Sequence, residues 1–254
     1  MLLHEFDPNP VAVINPSDIH QPVAGCPRVA VSCFERGTFG RMVERLKAEP
    51  FALTKCANME IPVFRAEYKG VEIALYESYV GAAGCVGMLE DLFAAGVEKL
   101  VLFGTCGVLD RAIKDCGIII PTSALRDEGT SFHYAPPSDE IEVNPKHRDE
   151  FIEILHHHKC TYTLGKTWTT DAMYRETAEK MARRKAAGCV CVDMECSAVA
   201  ALARFRGKEV FHFFHAADNL DGEAWDSRSL GQTANITGKD KAALLALELA
   251  VRIA

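Results

Sequence analysis

The chain has 254 residues, 48% of them hydrophobic and 25% charged, enough apolar content for one large buried core. Its net charge of −7 and the scatter of its 28 Lys and Arg residues leave no basic stripe, so nucleic acid is not an expected partner. No apolar run approaches the roughly 18 residues of a membrane span, and the opening MLLHEFDPNP has acidic residues and prolines where a secretion signal needs a basic and then an apolar stretch; no membrane association and a cytoplasmic location are expected.

The elements alternate along the chain. RVAVSCF (28–34) reads as a short buried strand entering a polar turn, and TFGRMVERLKAE (38–49) has helical spacing at Phe39, Met42, Val43 and Leu46. VFRAEYKGVEIALYES (63–78) reads as a hairpin about Lys69-Gly70. GCVGMLEDLFAAG (84–96) is a helix stopped at Gly96, followed by KLVLFGTCG, a buried strand expected to end in a glycine turn. CGIIIPTSAL and VFHFFHAADN read as further central strands, SAVAALARFRG and KDKAALLALELAVRIA as helices. The alternation predicts an α/β fold: a single domain over 1–254, with a mixed or largely parallel central β-sheet flanked by helices. Ten cysteines in such a chain, with Cys33, Cys85, Cys106, Cys191 and Cys196 among apolar or small neighbours, are expected to be reduced core thiols.

Ligands of such sheets bind at the carboxyl ends of strands, which selects three stretches. Gly104-Thr105-Cys106-Gly107 can offer backbone N–H groups and a hydroxyl to an anion, or is an ordinary turn. Asp218, ending an apolar strand, reads either as a partly desolvated acid of raised pKa or as an Asx-turn residue. In CVCVDMECSAVAALARF (189–205), Asp193 and Glu195 stand at the front of a small, apolar run. Capping of a helix N-terminus explains carboxylates there; the small residues after Glu195 equally leave room for a ligand with two hydroxyls, which one carboxylate can accept. His156-His157-His158 is read as a solvated helix end, because consecutive helical residues point about 100° apart, and no metal is expected. His133 and Tyr134 are read as loop packing.

VDMECSAVAALA resembles the V-E-M-E-x-A-x-L segment of the nucleoside phosphorylase family, which includes purine nucleoside phosphorylase, uridine phosphorylase and methylthioadenosine nucleosidase. LFGTCGVLDRAIKDCGIIIPTSALRDEGTSFHY resembles its G-T-[ST]-G strand and turn, KTWTTDAMYRET its S-x-D-x-[FY]-Y base-site loop, and AADNLD its V-S-D strand end; the four motifs stand in the family's order. The resemblance implies a nucleoside phosphorylase-like fold and cleavage of an N-glycosidic bond by phosphate, giving free base and pentose 1-phosphate. It gives Glu195 the ribose 2′ and 3′ hydroxyls, Met194 the face of the sugar, and Asp193 a place near base and sugar. Asp218 would protonate N7 of a departing purine, with Arg228 the candidate for the assisting arginine. Trp168, Met173, Tyr174 and Arg175 would surround the base, and Gly104 and Thr105 would hold phosphate. The resemblance further implies no cofactor beyond phosphate as co-substrate, and a homo-oligomer, a dimer or a trimer of dimers. His4 or His20 is a candidate to reach a neighbouring subunit's sugar.

Departures matter as much. The family's G-D-P-x-R loop is SCFERGTF here, the arginine before the G-T turn is Leu102, and the position from which a neighbour donates its phosphate arginine is Met59. An oxyanion needs charge-assisted donors, so Arg36, with Arg41 as its competitor, becomes the candidate cation. The alternatives to a phosphorylase of purines, with uridine as runner-up, are a nucleoside hydrolase and a non-catalytic nucleoside-binding relative.

Overall fold

One long strand organises the molecule. In the computed structural model, which describes residues 2–231 and 233–254, Lys99–Val108 is continuous strand, β5 in chain order. Before it come α1 (Pro16–Ile19), β1 (Val29–Cys33), α2 (Arg36–Leu46), β2 (Glu49–Cys56), β3 (Met59–Tyr68), β4 (Val71–Glu77) and α3 (Ala82–Ala95). After it come β6 (Ile118–Asp127), β7 (Glu140–Glu142), α4 (Arg148–His157), β8 (Tyr162–Thr170), α5 (Ala178–Ala186), β9 (Cys189–Asp193), α6 (Cys196–Arg206), β10 (Glu209–Asn219) and α7 (Ile236–Ile253).

The strands form one mixed sheet in the order β10-β6-β8-β9-β5-β1-β4-β3-β2, with β7 on β6. Because β10 also pairs with β5, the strands β5, β10, β6, β8 and β9 close into a ring, and β1 to β2 form a wing on it. Along one edge β5 is held by β10 from Lys99 to Val108; along the other, β1 takes Lys99–Phe103 and β9 takes only Gly107 and Val108. The expected glycine turn is therefore strand: β10 pairs the backbone straight through it. Between β1 and β9, residues 104–106 lack a partner strand, and there the sheet splits open.

The β3–β4 hairpin is as expected, Lys69 (φ 52°) and Gly70 (φ 80°) giving the left-handed pair that a two-residue turn requires. Apolar residues of α2, α4 and α7 cover one face of the sheet, those of α3 and α6 the other. A third cluster, with Cys106, Val108, Ile119, Cys191, Phe214 and Ala216, fills the ring. All ten cysteines are free, and the five named from sequence are buried. The triple histidine closes α4, as read. No described helix is long and apolar enough to cross a membrane. β2 escaped the sequence reading because most of its side chains are exposed, leaving no apolar signature.

Candidate active site

The split beside β5 is the floor of a cleft of about 670 Å³ lined by Thr105, Gly107, Met173, Met194, Glu195 and Asp218 among others. Three strand ends from distant parts of the sequence meet here. Two glycines make the approach possible. A Cβ on Gly104 would lie 2.7 Å from a Phe34 ring carbon, and one on Gly107 would lie 2.3 Å from Leu220 Cδ1.

The two carboxylates at the β9–α6 junction have separate tasks. Asp193 Oδ1 accepts from the hydroxyls of Thr167 (2.8 Å) and Thr169 (2.9 Å), and Oδ2 accepts from the backbone N–H groups of Glu195 (2.8 Å) and Cys196 (2.6 Å). It caps α6 and locks β8 to β9; although its residue borders the cleft, its carboxylate is already engaged four times. Glu195 has one protein partner among the described residues, the Gly81 N–H at 2.6 Å on Oε1. Burial, reinforced by the charge of Asp193, pushes its carboxyl up to about 8. Glu195 is thus buried yet underused, the condition of a group whose partner arrives with a ligand.

Asp218 is aimed by a bulge. The β10–β5 register slips between Ala216 and Asp218, leaving Ala217 unpaired opposite β5 and directing Asp218 over Gly107. Its Oδ2 accepts from Trp225 Nε1 at 2.8 Å. Arg228, expected there, lines no part of the cleft: its guanidinium donates to the Ile113 carbonyl at 2.9 Å and lies 3.6 Å from Asp226. Trp225 has taken the place beside Asp218, and nothing in the sequence around it signals this.

The base-site loop divides. Met173 lines the cleft and Tyr174 lines its outer continuation, where Met173, Glu176, Asp218, Glu223 and Trp225 enclose about 1130 Å³. Trp168 does not join them. It lies on β8 with no exposed surface, donating to Asp127 at 2.9 Å beneath Lys180 and Arg184, because strand alternation turns it to the core. Arg175 is exposed and borders neither space. The sequence reading passed over Glu176, which borders both; burial, then the charge of Asp218, raises its carboxyl to about 7.

A third cleft, of about 1340 Å³, adjoins the first through Phe34, Val80, Thr105 and Leu230. Arg36 lines it with its side chain 83% exposed, 3.6 Å from Glu77, and Glu35, Glu60 and Met59 stand with it. Arg41 is spent elsewhere, donating to Asp240 (2.7 Å) and Thr38 (3.1 Å), and Leu102 is wholly buried. His20 pairs with Asp91 at 3.2 Å and His4 is exposed; neither borders these clefts.

The sequence profile of the phosphorylase superfamily matches residues 35–250. A guanosine phosphorylase of Halorubrum lacusprofundi is 28% identical over 152 residues, which span 59% of this chain and 62% of that relative's length. A DeoD-type purine nucleoside phosphorylase of Bacillus cereus is 25% identical over 180 residues, 68% of this chain and 74% of that one. A crystal structure of uridine phosphorylase from Vibrio fischeri superposes with a TM-score of 0.79 at 23% identity, over 95% of this chain and 99% of that chain, a likeness of fold.

Proposed function

Because the chain belongs to the phosphorylase superfamily, we propose that it is a nucleoside phosphorylase, which breaks the N-glycosidic bond of a nucleoside with phosphate and releases free base and pentose 1-phosphate. The observation that carries this reading is the single cleft shared by Thr105, Glu195 and Asp218, one hydroxyl and two acids lining the same space. Breaking the bond builds positive charge on the sugar and negative charge on the base, so the cleft must hold the sugar, protonate the base and admit a nucleophile. Glu195 accepts the ribose diol, Met194 borders the sugar, and the carboxyls around Asp218 meet the base between Met173 and Tyr174. A purine is favoured over uracil, because an acidic base end suits protonation at N7.

Phosphate would enter from the third cleft, between Thr105 and Arg36, the arginine lining that space. The exposure of the Arg36 side chain, 83%, suits completion of that cleft by a second copy of the chain. One observation favours a second reading, hydrolysis: Glu35, Glu60 and Glu77 share the same cleft, and three carboxylates are poor company for a dianion. Incubation with inosine, guanosine, adenosine and uridine, with and without phosphate, separates the readings. Phosphorolysis requires base release that depends on phosphate or arsenate, and Arg36→Ala should raise the apparent KM for phosphate while leaving nucleoside affinity nearly intact. Equal rates without phosphate, with free pentose as product, would make the protein a hydrolase.

A further inference from the structure

The spaces assigned to sugar and base are lined by five acidic residues, Glu176, Asp193, Glu195, Asp218 and Glu223, and by no Lys, Arg or His among the described residues. Like charges at this density and without counter-ions cannot all stay ionised, so at least one carboxyl keeps its proton at neutral pH. The surroundings of each identify which are free to use it. Asp193 is held by two backbone N–H groups and two hydroxyls. Glu195 is tied to Gly81 at the sugar end. Asp218 is already engaged, accepting the indole N–H of Trp225. Glu176, half-buried at the end of the 3₁₀ turn Met173–Arg175, makes no side-chain hydrogen bond among the described residues and faces both the cleft and its outer continuation.

We propose that Glu176 is the general acid of this site and that Asp218, fixed by Trp225, is the neighbouring charge that keeps the proton on it. This rests on the glycosidic cleavage proposed above. The step balances simply. The bond from C1′ to the base nitrogen breaks and its electron pair goes to the base. The proton moves from the Glu176 carboxyl to a ring nitrogen of the base, an oxygen of the nucleophile bonds to C1′, and Glu176, now a carboxylate, is reprotonated from solvent after the base leaves. The charge that acts on Glu176 is Asp218 on β10, which favours retention of the proton; Glu223 on the loop after it and Asp193 and Glu195 at the β9–α6 junction line the same spaces and bring no cation to them. Burial acts in the same direction, and the resulting carboxyl near 7 matches a donor working at neutral pH.

The test combines kinetics with a direct reading of the proton. In wild type, kcat for a purine nucleoside should fall as pH rises above about 7. Glu176→Gln should lower kcat by about 10²- to 10⁴-fold, leave KM for the nucleoside within a few-fold, and remove that alkaline limb. With 4-nitrophenyl riboside, whose leaving group needs no proton, the same variant should lose far less. Asp218→Asn should move the limb to lower pH. Infrared difference spectra between acidic and alkaline buffer should contain, beside a Glu195 band titrating near 8, a protonated carboxyl signal titrating near 7 that Glu176→Gln removes. A limb that survives Glu176→Gln and disappears in Asp218→Asn, or an infrared signal indifferent to Glu176, overturns the proposal. Failure of wild type to cleave any nucleoside, with the infrared signal still assigned to Glu176, refutes the glycosidic reading while leaving the proton where the geometry puts it.

Discussion

The indole Nε1 of Trp225 donates a 2.8 Å hydrogen bond to Oδ2 of Asp218, while Arg228, three residues further along, turns to the carbonyl of Ile113. A neutral donor fixes the carboxylate without cancelling its charge, whereas a guanidinium would do both. This brings no cation to the base end of the cleft, and it hangs the loop that carries Trp225 on the residue it orients.

Trp225→Phe keeps the ring and removes the donor. One hydrogen bond to a charged group is worth about 1.5 to 3 kcal/mol, so kcat should fall roughly tenfold or more with little change in fold, because the indole is largely exposed. Tryptophan emission reports the loop directly, since Trp168, the other tryptophan, is sealed in the core. Quenching by a bound nucleoside that vanishes in the variant is the expected signature, and unaltered kcat would detach Trp225 from the chemistry.

Glu195 should discriminate sugars. Its engagement with Gly81 leaves one carboxylate oxygen without a hydrogen-bond partner among the described residues, and a diol supplies the missing donors. Glu195→Gln should therefore cost ribonucleosides about 1.5 to 3 kcal/mol in kcat/KM, and 2′-deoxynucleosides distinctly less. Equal losses on both would move the diol elsewhere.

Of the two readings that competed at residues 193–195, capping holds for Asp193, while Glu195 is buried with the Gly81 N–H as its hydrogen-bond partner among the described residues, a division not legible from spacing alone. Which residue caps depends on β9 ending at Asp193, so that Glu195 and Cys196 present their N–H groups to it. The frame itself was legible wherever burial is one-sided or complete, as in β1, the β3–β4 hairpin, α3 and α7. Trp168 was misplaced because a motif fixes which residues come near a ligand but not which way a strand faces them; β8 turns Trp168 to Asp127. Glu176 and Trp225 were invisible for a different reason. Each matters through Asp218, 42 residues from the first and across a loop from the second, and no local pattern encodes that meeting.

A side chain at Gly107 should carry a cost. An added Cβ would lie 2.3 Å from Leu220 Cδ1, 3.1 Å from Val192 Cγ1 and 3.3 Å from Asp218 Oδ1, so Leu220 and the floor under Asp218 must both give way. Gly107→Ala should destabilise the chain by about 1 to 3 kcal/mol, the usual range for overpacking, and lower kcat beyond what reduced folding explains. Gly104→Ala, which presses on Phe34 at 2.7 Å, is the companion variant at the nucleophile end and should affect phosphate more than nucleoside. Melting temperature and kcat both at wild-type values in Gly107→Ala would contradict the packing argument.

The buried carboxyl of Glu195 also makes stability depend on pH with a definite sign. An unfolded glutamate ionises near 4.5, whereas Glu195 in the folded chain ionises near 8, raised first by burial and then by Asp193. Between those values the folded chain holds a proton that the unfolded chain has released, so raising pH favours unfolding. The group's contribution is complete below 4.5 and is lost as pH rises through about 8. Glu176, raised to about 7, acts in the same sense over a narrower interval. Glutamine cannot ionise, so Glu195→Gln should gain on wild type as buffers become alkaline, by more than about 1 kcal/mol between mildly acidic and mildly alkaline pH. Urea unfolding of both proteins at the two pH values measures the difference. A gap between variant and wild type that stays constant with pH would mean that Glu195 is ionised in the folded chain, and that its bond to Gly81 suffices to hold the charge.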